Sequence, residues 1–262
     1  MLSEIKKELY GHPWQDKIHY FDSIDSTNTY AKKLAAEGAS EGTVILAGHQ
    51  TGGRGRLGRS FSSPAGMGIY LSVILRPDCL PEQLMHLTCA AGVAACQAVE
   101  SATGIQPGIK WTNDLVLGKR KLGGILTELS IHPATHRIDW VVIGIGINCC
   151  QIPRDFPPEI RDIACSLGMA QEDIPLLIAA LIRSLHQMRR QLLPEKAALM
   201  QEFARRCVTI GCEISILRGD DVSHARAVGL DADGGLQVVF PDGKQGTVTS
   251  GEVSIRGMYG YL

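Results

Sequence analysis

TGGRGRLGRSF, residues 51–61, spells Gly53-x-Gly55-x-x-Gly58, the glycine spacing of a dinucleotide-binding turn. Such a turn must open a helix, so that pyrophosphate meets the helix N-terminus. The apolar run TVILAG (43–48) does precede the loop, but RSFSSPAGMGIY (59–70) follows it, with Pro64, Gly66 and Gly68 and no 3.6-residue period. The context sets a doubly wound nucleotide fold aside. A Walker loop fails as well, because no Gly-Lys-Ser/Thr closes the run. What distinguishes the stretch is Arg54, Arg56 and Arg59, with no Asp or Glu between Glu41 and Asp78. Seven glycines between 48 and 68 allow backbone amides to approach a ligand closely. Guanidinium forks match phosphate oxygens. The loop reads as a grip for a phosphate that arrives from outside.

Composition bounds what that phosphate belongs to. The 262 residues are 45% hydrophobic and 20% charged, with a net charge of −1, so a general electrostatic grip on DNA is not expected. No apolar run reaches the roughly 18 residues that span a bilayer, and the N-terminus MLSEIKKELYGHPW lacks the apolar core of a signal peptide. The eight cysteines form no Cys-x-x-Cys pair and mostly sit in apolar runs such as LTCAAGVAACQ (87–97). They read as reduced thiols of a cytoplasmic protein.

Outward from the loop, the spacing predicts a helix through NTYAKKLAAEG, capped by Ser26 or Thr27 and ended by Gly38. It predicts buried strands at 43–48, 69–77 and 139–149, and a long helix over 81–104. A hairpin is expected in IKWTNDLVLGKRKLGGILTEL (109–129), turning at LGKRK, and helices over 174–193 and 195–207. After residue 207, short β-rich runs alternate with turns at Asp233-Gly234-Gly235 and Pro241-Asp242-Gly243, the pattern of a small antiparallel barrel. RGDD (218–221) reads as a turn. The expected division is 1–206 and 207–262.

Five motifs in order, DSTN (25–28), GRGRLGR (53–59), KWTND (110–114), KLGGILTE (121–128) and GIGIN (144–148), resemble the signature of biotin–protein ligases. The resemblance implies an α+β fold, with a mixed β-sheet catalytic domain of the class II synthetase-like, biotin–lipoate ligase type and a small C-terminal SH3-like β-barrel. It implies two steps, formation of biotinyl-5′-AMP from biotin and ATP with Mg²⁺, then transfer to a lysine of a biotin carboxyl carrier protein of acetyl-CoA or a related carboxylase.

By the same resemblance Lys110, Arg54 and Arg56 are the catalytic cations. Ser26, Thr27, Asn28, Gln50, Gly124, Gly144 and Gly146 shape the biotin site. Gly53, Arg54, Gly55, Arg56, Arg59, Phe61, Lys110 and Asn148 serve the adenylate, with Asn148 also at the metal. The arginine loop is expected to act as a lid over the labile adenylate. Thr112 stands where such proteins commonly carry proline, and Leu57 where they commonly carry arginine. About 20 residues precede the catalytic segment, so the expectation is an enzyme without operator binding, and an edge-to-edge homodimer is expected by analogy. The alternative is a lipoate–protein ligase or related acyltransferase, disfavoured because GRGRLGR and KWTND look like the biotin branch.

Overall fold

The computed structural model describes residues 1–218, 221–249, 251–255 and 258, without the side chains of Arg218 and Glu252. Gly219 and Asp220 of RGDD lie outside the described residues.

The described residues form two sheets. The larger contains β1 (Ile18–Phe21), β2 (Val44–Ala47), β3 (Gly68–Leu75), β4 (Gly108–Lys110), β5 (Asp114–Leu117), β6 (Arg120–Ile131) and β7 (Ile138–Asn148). Their spatial order is β1-β2-β3-β7-β6-β5-β4. Only the β1–β2 pair among them is parallel. Every residue of β3 is buried, and so are most of β7, which is why both read as apolar runs rather than as alternating strands.

Helix α2 (Thr27–Ala36) covers one face of this sheet, where Ala31 and Ala35 pack with Ile45, Ile74 and Val142. The other face is covered by α3 (Leu87–Thr103) and α4 (Ile174–Gln191), with α1 (Leu2–Glu8) and α5 (Lys196–Arg206) outside them. The small residues of α3, including Ala90, Ala91, Ala94 and Ala95, are buried and allow close packing. The long helix expected from residue 81 begins only at Leu87. Pro81–Leu84 is instead a separate 3₁₀ turn, since Pro81 favours a helical start without carrying the turn through Met85 and His86.

The chain leaves α5, bridges Cys207 to Ile109 at the edge of the large sheet, and then builds the second sheet. That sheet holds β8 (Glu213–Arg218), β9 (Asp221–Leu230), β10 (Leu236–Val239), β11 (Gln245–Val248) and β12 (Glu252–Ile255), all antiparallel, in the order β11-β10-β9-β8-β12. It docks through the Asp233-Gly234 turn. The indole nitrogen of Trp111 donates to the Gly234 carbonyl at 2.8 Å, and Lys196 pairs with Asp233. No helix among the described residues is long and apolar enough to cross a membrane.

Candidate active site

Ser26 starts α2 in an extended conformation, and its hydroxyl accepts the Thr29 amide at 3.4 Å. This N-terminus opens onto a cleft of about 870 Å³, counting its mouth, between α2, the β7–β6 face and the arginine loop. Ser26, Thr27, Asn28, Gln50, Arg54, Gly55, Arg56, Arg59, Phe61, Gly124, Gly144 and Gly146 all line it. Residues that lie 120 positions apart thus share one wall.

The deep end is a polar network with few groups left over. Gln50 accepts the Thr27 amide at 2.9 Å and the Thr27 hydroxyl at 3.1 Å through Oε1, and donates to Ser63 at 2.9 Å through Nε2. A second N–H of Gln50 and the Ser26 hydroxyl proton are not used by these bonds. Asn28 is saturated. Its Nδ2 donates to the Leu126 carbonyl at 3.3 Å and to Glu128 at 3.0 Å, and its Oδ1 accepts Ser72 at 2.6 Å. Asn28 therefore forms the floor, and any ligand donor or acceptor must come chiefly from its neighbours. The bonding that makes it rigid was invisible in the sequence, because Ser72, Leu126 and Glu128 belong to other strands.

Glu128 also pairs with Lys32 at 2.6 Å. Burial alone would raise its carboxyl, but hydrogen bonds from Lys32 and Asn28, with Arg54 nearby, hold it below its ordinary value of 4.5. The linkage has one sign: a carboxyl with a lowered folded value stabilises the protein above pH 4.5, and this contribution is lost as pH falls through the lowered value. Glu128→Gln should therefore flatten the acid side of a melting-temperature profile. An unchanged acid slope would refute the network's role.

Glycine makes the floor possible. A Cβ on Gly144 would lie 2.0 Å from Asn28 Oδ1, and one on Gly146 would lie 2.5 Å from the Phe61 ring. Phe61 thus lies flat against β7 and forms a cleft wall, edge-on to Tyr70 with centroids 6.4 Å apart.

The arginine loop is a folded hairpin. Gly55 donates to the Arg59 carbonyl at 2.7 Å, Phe61 to the Gly53 carbonyl at 2.9 Å, and Leu57 occupies the left-handed region at φ 55°. Gly53 does not line the cleft. Its place is structural, since a Cβ there would meet the Phe61 carbonyl at 2.4 Å. Arg56 donates to Asn113 at 3.0 Å and to the Gly251 carbonyl at 3.5 Å, tying the loop both to KWTND and to the second sheet.

Two more expected site residues, besides Gly53, lie off the cleft wall. Lys110 is only 6% exposed at the end of β4 and is not part of the cleft wall. Asn148 is also 6% exposed, and its amide is engaged by Cys165 and Gln151. The lysine that does line the cleft is Lys121, whose ammonium meets Asp114 at 2.7 Å. It belongs to KLGGILTE, but carried no assigned role. A signal existed: with the turn at Gly118-Lys119, alternation puts Lys121 opposite Val116 and on the face shared with Asp114. Burial distinguishes the two lysines, and burial is not written in either motif.

No catalytic thiol accompanies them. Burial pushes Cys89, Cys96 and Cys149 up to about 12, so these cysteines remain protonated. Among the described residues, no group of three or more His, Cys, Asp or Glu can hold a metal ion.

Residues 20–148 match the biotin/lipoate A/B protein ligase family, and residues 209–256 match the biotin protein ligase C-terminal domain. The chain is 34% identical over 251 residues to biotin–[acetyl-CoA-carboxylase] ligase of Mycobacterium tuberculosis, covering 93% of this chain and 90% of that protein. It is 44% identical over 168 residues to the bifunctional ligase/repressor BirA of Bacillus subtilis, 64% of this chain but 51% of that protein. The match thus spans about half the length of that curated relative. Biotin protein ligase from Aquifex aeolicus, solved in complex with biotin and ATP, superposes with a TM-score of 0.74 at 28% identity, over 91% of this chain and 98% of that one. The chain belongs to the biotin protein ligase family.

Proposed function

We propose that the protein is an ATP-dependent ligase that activates biotin as biotinyl-5′-AMP and passes the acyl group to a lysine of a biotin carboxyl carrier protein, of acetyl-CoA or a related carboxylase. The observation that carries this is the polarity of one cleft. Its deep end offers hydrogen-bond donors over a glycine floor, and its mouth gathers Lys121, Arg54, Arg56 and Arg59.

A cyclic urea is a carbonyl acceptor on a compact ring. The N-terminus of α2, the Ser26 hydroxyl and the spare Gln50 N–H suit its oxygen. Leu71, Leu126 and Phe61 supply the apolar wall for an aliphatic tail. The tail's carboxylate then lies toward the cations. In the first step a carboxylate oxygen attacks the α-phosphorus of ATP, the bond to the β-phosphate bridging oxygen breaks, and pyrophosphate leaves. Both reactants are anions, so positive charge between them stabilises the transition state more than the separated reactants. Lys121 fits this place. One of its three donors is held by Asp114, and two remain for incoming oxygens.

Arg54, Arg56 and Arg59 are suited to the phosphates and to closing the cleft against water. In the second step the acceptor amine attacks the acyl carbon, AMP departs, and the amine proton is lost. Asp114 is a carboxylate available to a Mg²⁺ entering with the triphosphate, since magnesium is usually held by substrate phosphates and waters with few protein ligands. Asn148, committed to Cys165 and Gln151, is not proposed as a metal ligand.

Lipoate lacks a urea and would leave the Ser26 and Gln50 donors without partners, a large penalty in a buried site. Biotin-dependent exchange of labelled pyrophosphate into ATP is the deciding assay. Exchange with biotin and none with lipoate supports the reading; no exchange with biotin and Mg²⁺ overturns it. The outer half of β6 pairs with β7 on one edge only and exposes Leu129 and Ile131, which supports a homodimer formed by strand pairing. Eight free cysteines, six of them buried, support a cytoplasmic protein.

A further inference from the structure

β3 is buried along its whole length, and in its middle Ser72 places a hydroxyl at 0% exposure. Ser72 does not line the cleft. Its oxygen nevertheless touches two residues of α2 that do, Asn28 Oδ1 at 2.6 Å and Thr27 Oγ1 at 2.8 Å. On its other side Thr27 Oγ1 meets Gln50 Oε1 at 3.1 Å.

The protons in this row are fixed from its two ends. Glu128, ionised beside Lys32, only accepts, so Asn28 turns Nδ2 toward it and toward the Leu126 carbonyl. Asn28 Oδ1 then faces Ser72 as an acceptor, which commits the single Ser72 proton. At the other end the Thr27 amide donates to Gln50 Oε1. Ser63 gives its own proton to the Phe61 carbonyl and accepts from Gln50 Nε2. Gln50 Oε1 is thereby held toward Thr27 and has no proton to give. Two oxygen contacts remain, Thr27 with Ser72 and Thr27 with Gln50, and the Thr27 hydroxyl has one proton for both. The contact with Ser72 is the shorter, and a hydroxyl that already donates accepts more strongly. The proton therefore goes inward, and the row is one proton short at its cleft end.

From this we infer that Ser72 is a specificity-determining residue for biotin, acting through Thr27 and not by touching the ligand. By taking the Thr27 proton it leaves Thr27 Oγ1 and Gln50 Oε1 as a pair of acceptors on the cleft wall, and a ligand N–H supplies the missing proton. A cyclic urea carries such an N–H next to the carbonyl that the Ser26 hydroxyl and the spare Gln50 N–H suit. The dithiolane ring of lipoate has none and would leave two oxygens facing each other in a buried site. This role of Ser72 rests on biotin being the substrate, as proposed above.

The test is calorimetric titration, without ATP, of biotin and of two cyclic carbamates made by exchanging one ring N–H of biotin, or the other, for oxygen. In wild-type protein the carbamate that sets oxygen against Thr27 and Gln50 should bind at least about 100-fold more weakly than biotin, because buried acceptors lose their donor. In Ser72→Ala the Thr27 proton turns to Gln50 and satisfies the pair. Biotin should then weaken about 10-fold while that carbamate changes less than about 3-fold, so its disadvantage shrinks. The other carbamate retains the N–H that faces Thr27 and should keep its ratio to biotin. A collapse confined to one carbamate is a signature that a loosened floor does not give. Unchanged ratios for both carbamates in folded Ser72→Ala, or equal changes in both, would make Ser72 merely structural and overturn the inference. Wild-type protein that binds both carbamates as tightly as biotin would do the same. Ser72→Cys, which keeps the volume but offers only a weak donor and acceptor, takes its place if the alanine variant does not fold, and must show the same one-sided collapse. Wild-type protein that binds no biotin at all overturns the proposed function first, a result distinguishable from a failed coupling.

Discussion

Replacing Lys121 with alanine is expected to lower biotin-dependent pyrophosphate exchange by about 10²- to 10³-fold, the usual loss when one preorganised transition-state donor is removed. Its ammonium lies in the cleft beside Asp114, where the proposed reaction brings two anions together. Biotin binding should weaken little, because the residues at the deep end do not depend on the lysine. The maximal rate should fall with little change in the affinity for biotin, the pattern of an interaction made chiefly in the transition state. Lys110→Ala provides the contrast. Lys110 is buried outside the cleft and engaged within the protein, so its loss should appear first as a lower melting temperature. Exchange by the folded fraction should remain near wild type. If Lys110→Ala abolishes exchange in folded protein while Lys121→Ala spares it, the two assignments are reversed.

Gly144→Ala is the second large effect. The added Cβ would lie 2.0 Å from Asn28 Oδ1 and 2.7 Å from its Cγ. Asn28 has no room to yield, because Ser72, Glu128 and the Leu126 carbonyl hold its amide on both sides. Overpacking of this kind costs about 1–3 kcal/mol. Spread over a chain of this size, that is a fall of several degrees in melting temperature. The displaced Asn28 also pushes into the cleft, so biotin affinity should drop by at least about 10-fold, the equivalent of about 1.4 kcal/mol. Asn28→Ala in the Gly144→Ala background removes the colliding atoms and should restore part of the stability, a non-additive pair. Strict additivity, measured by thermal denaturation, would show that the contact does not govern the position.

Much of the architecture was legible in short-range patterns. Ser26 as a helix cap, the buried runs at β2, β3 and β7, the LGKRK hairpin and the turns at 233–235 and 241–243 each follow from local spacing and turn chemistry. Strand β1 was not anticipated. Its four residues, Ile18–Phe21, mix His19 and Tyr20 into a run too short to show a period, and it exists because β2 offers a parallel edge. The twelve residues that converge on the cleft were likewise nameable from their motifs. Lys110 and Asn148, both buried and off the cleft wall, show where motif reading stops. Each motif marks a place near the site, while the direction and burial of a side chain depend on register and on what packs against it.

The amino-acid order alone determined the motif set, the arginine-rich loop with no local acid, the two-part architecture and the family resemblance. These are properties of neighbours along the chain: glycine spacing, alternation and local charge. Tertiary structure decided which lysine lines the cleft and why Gly144 must lack a side chain. Those depend on strands and segments far apart in sequence, where a one-residue change of register exchanges a buried side chain for one in the cleft.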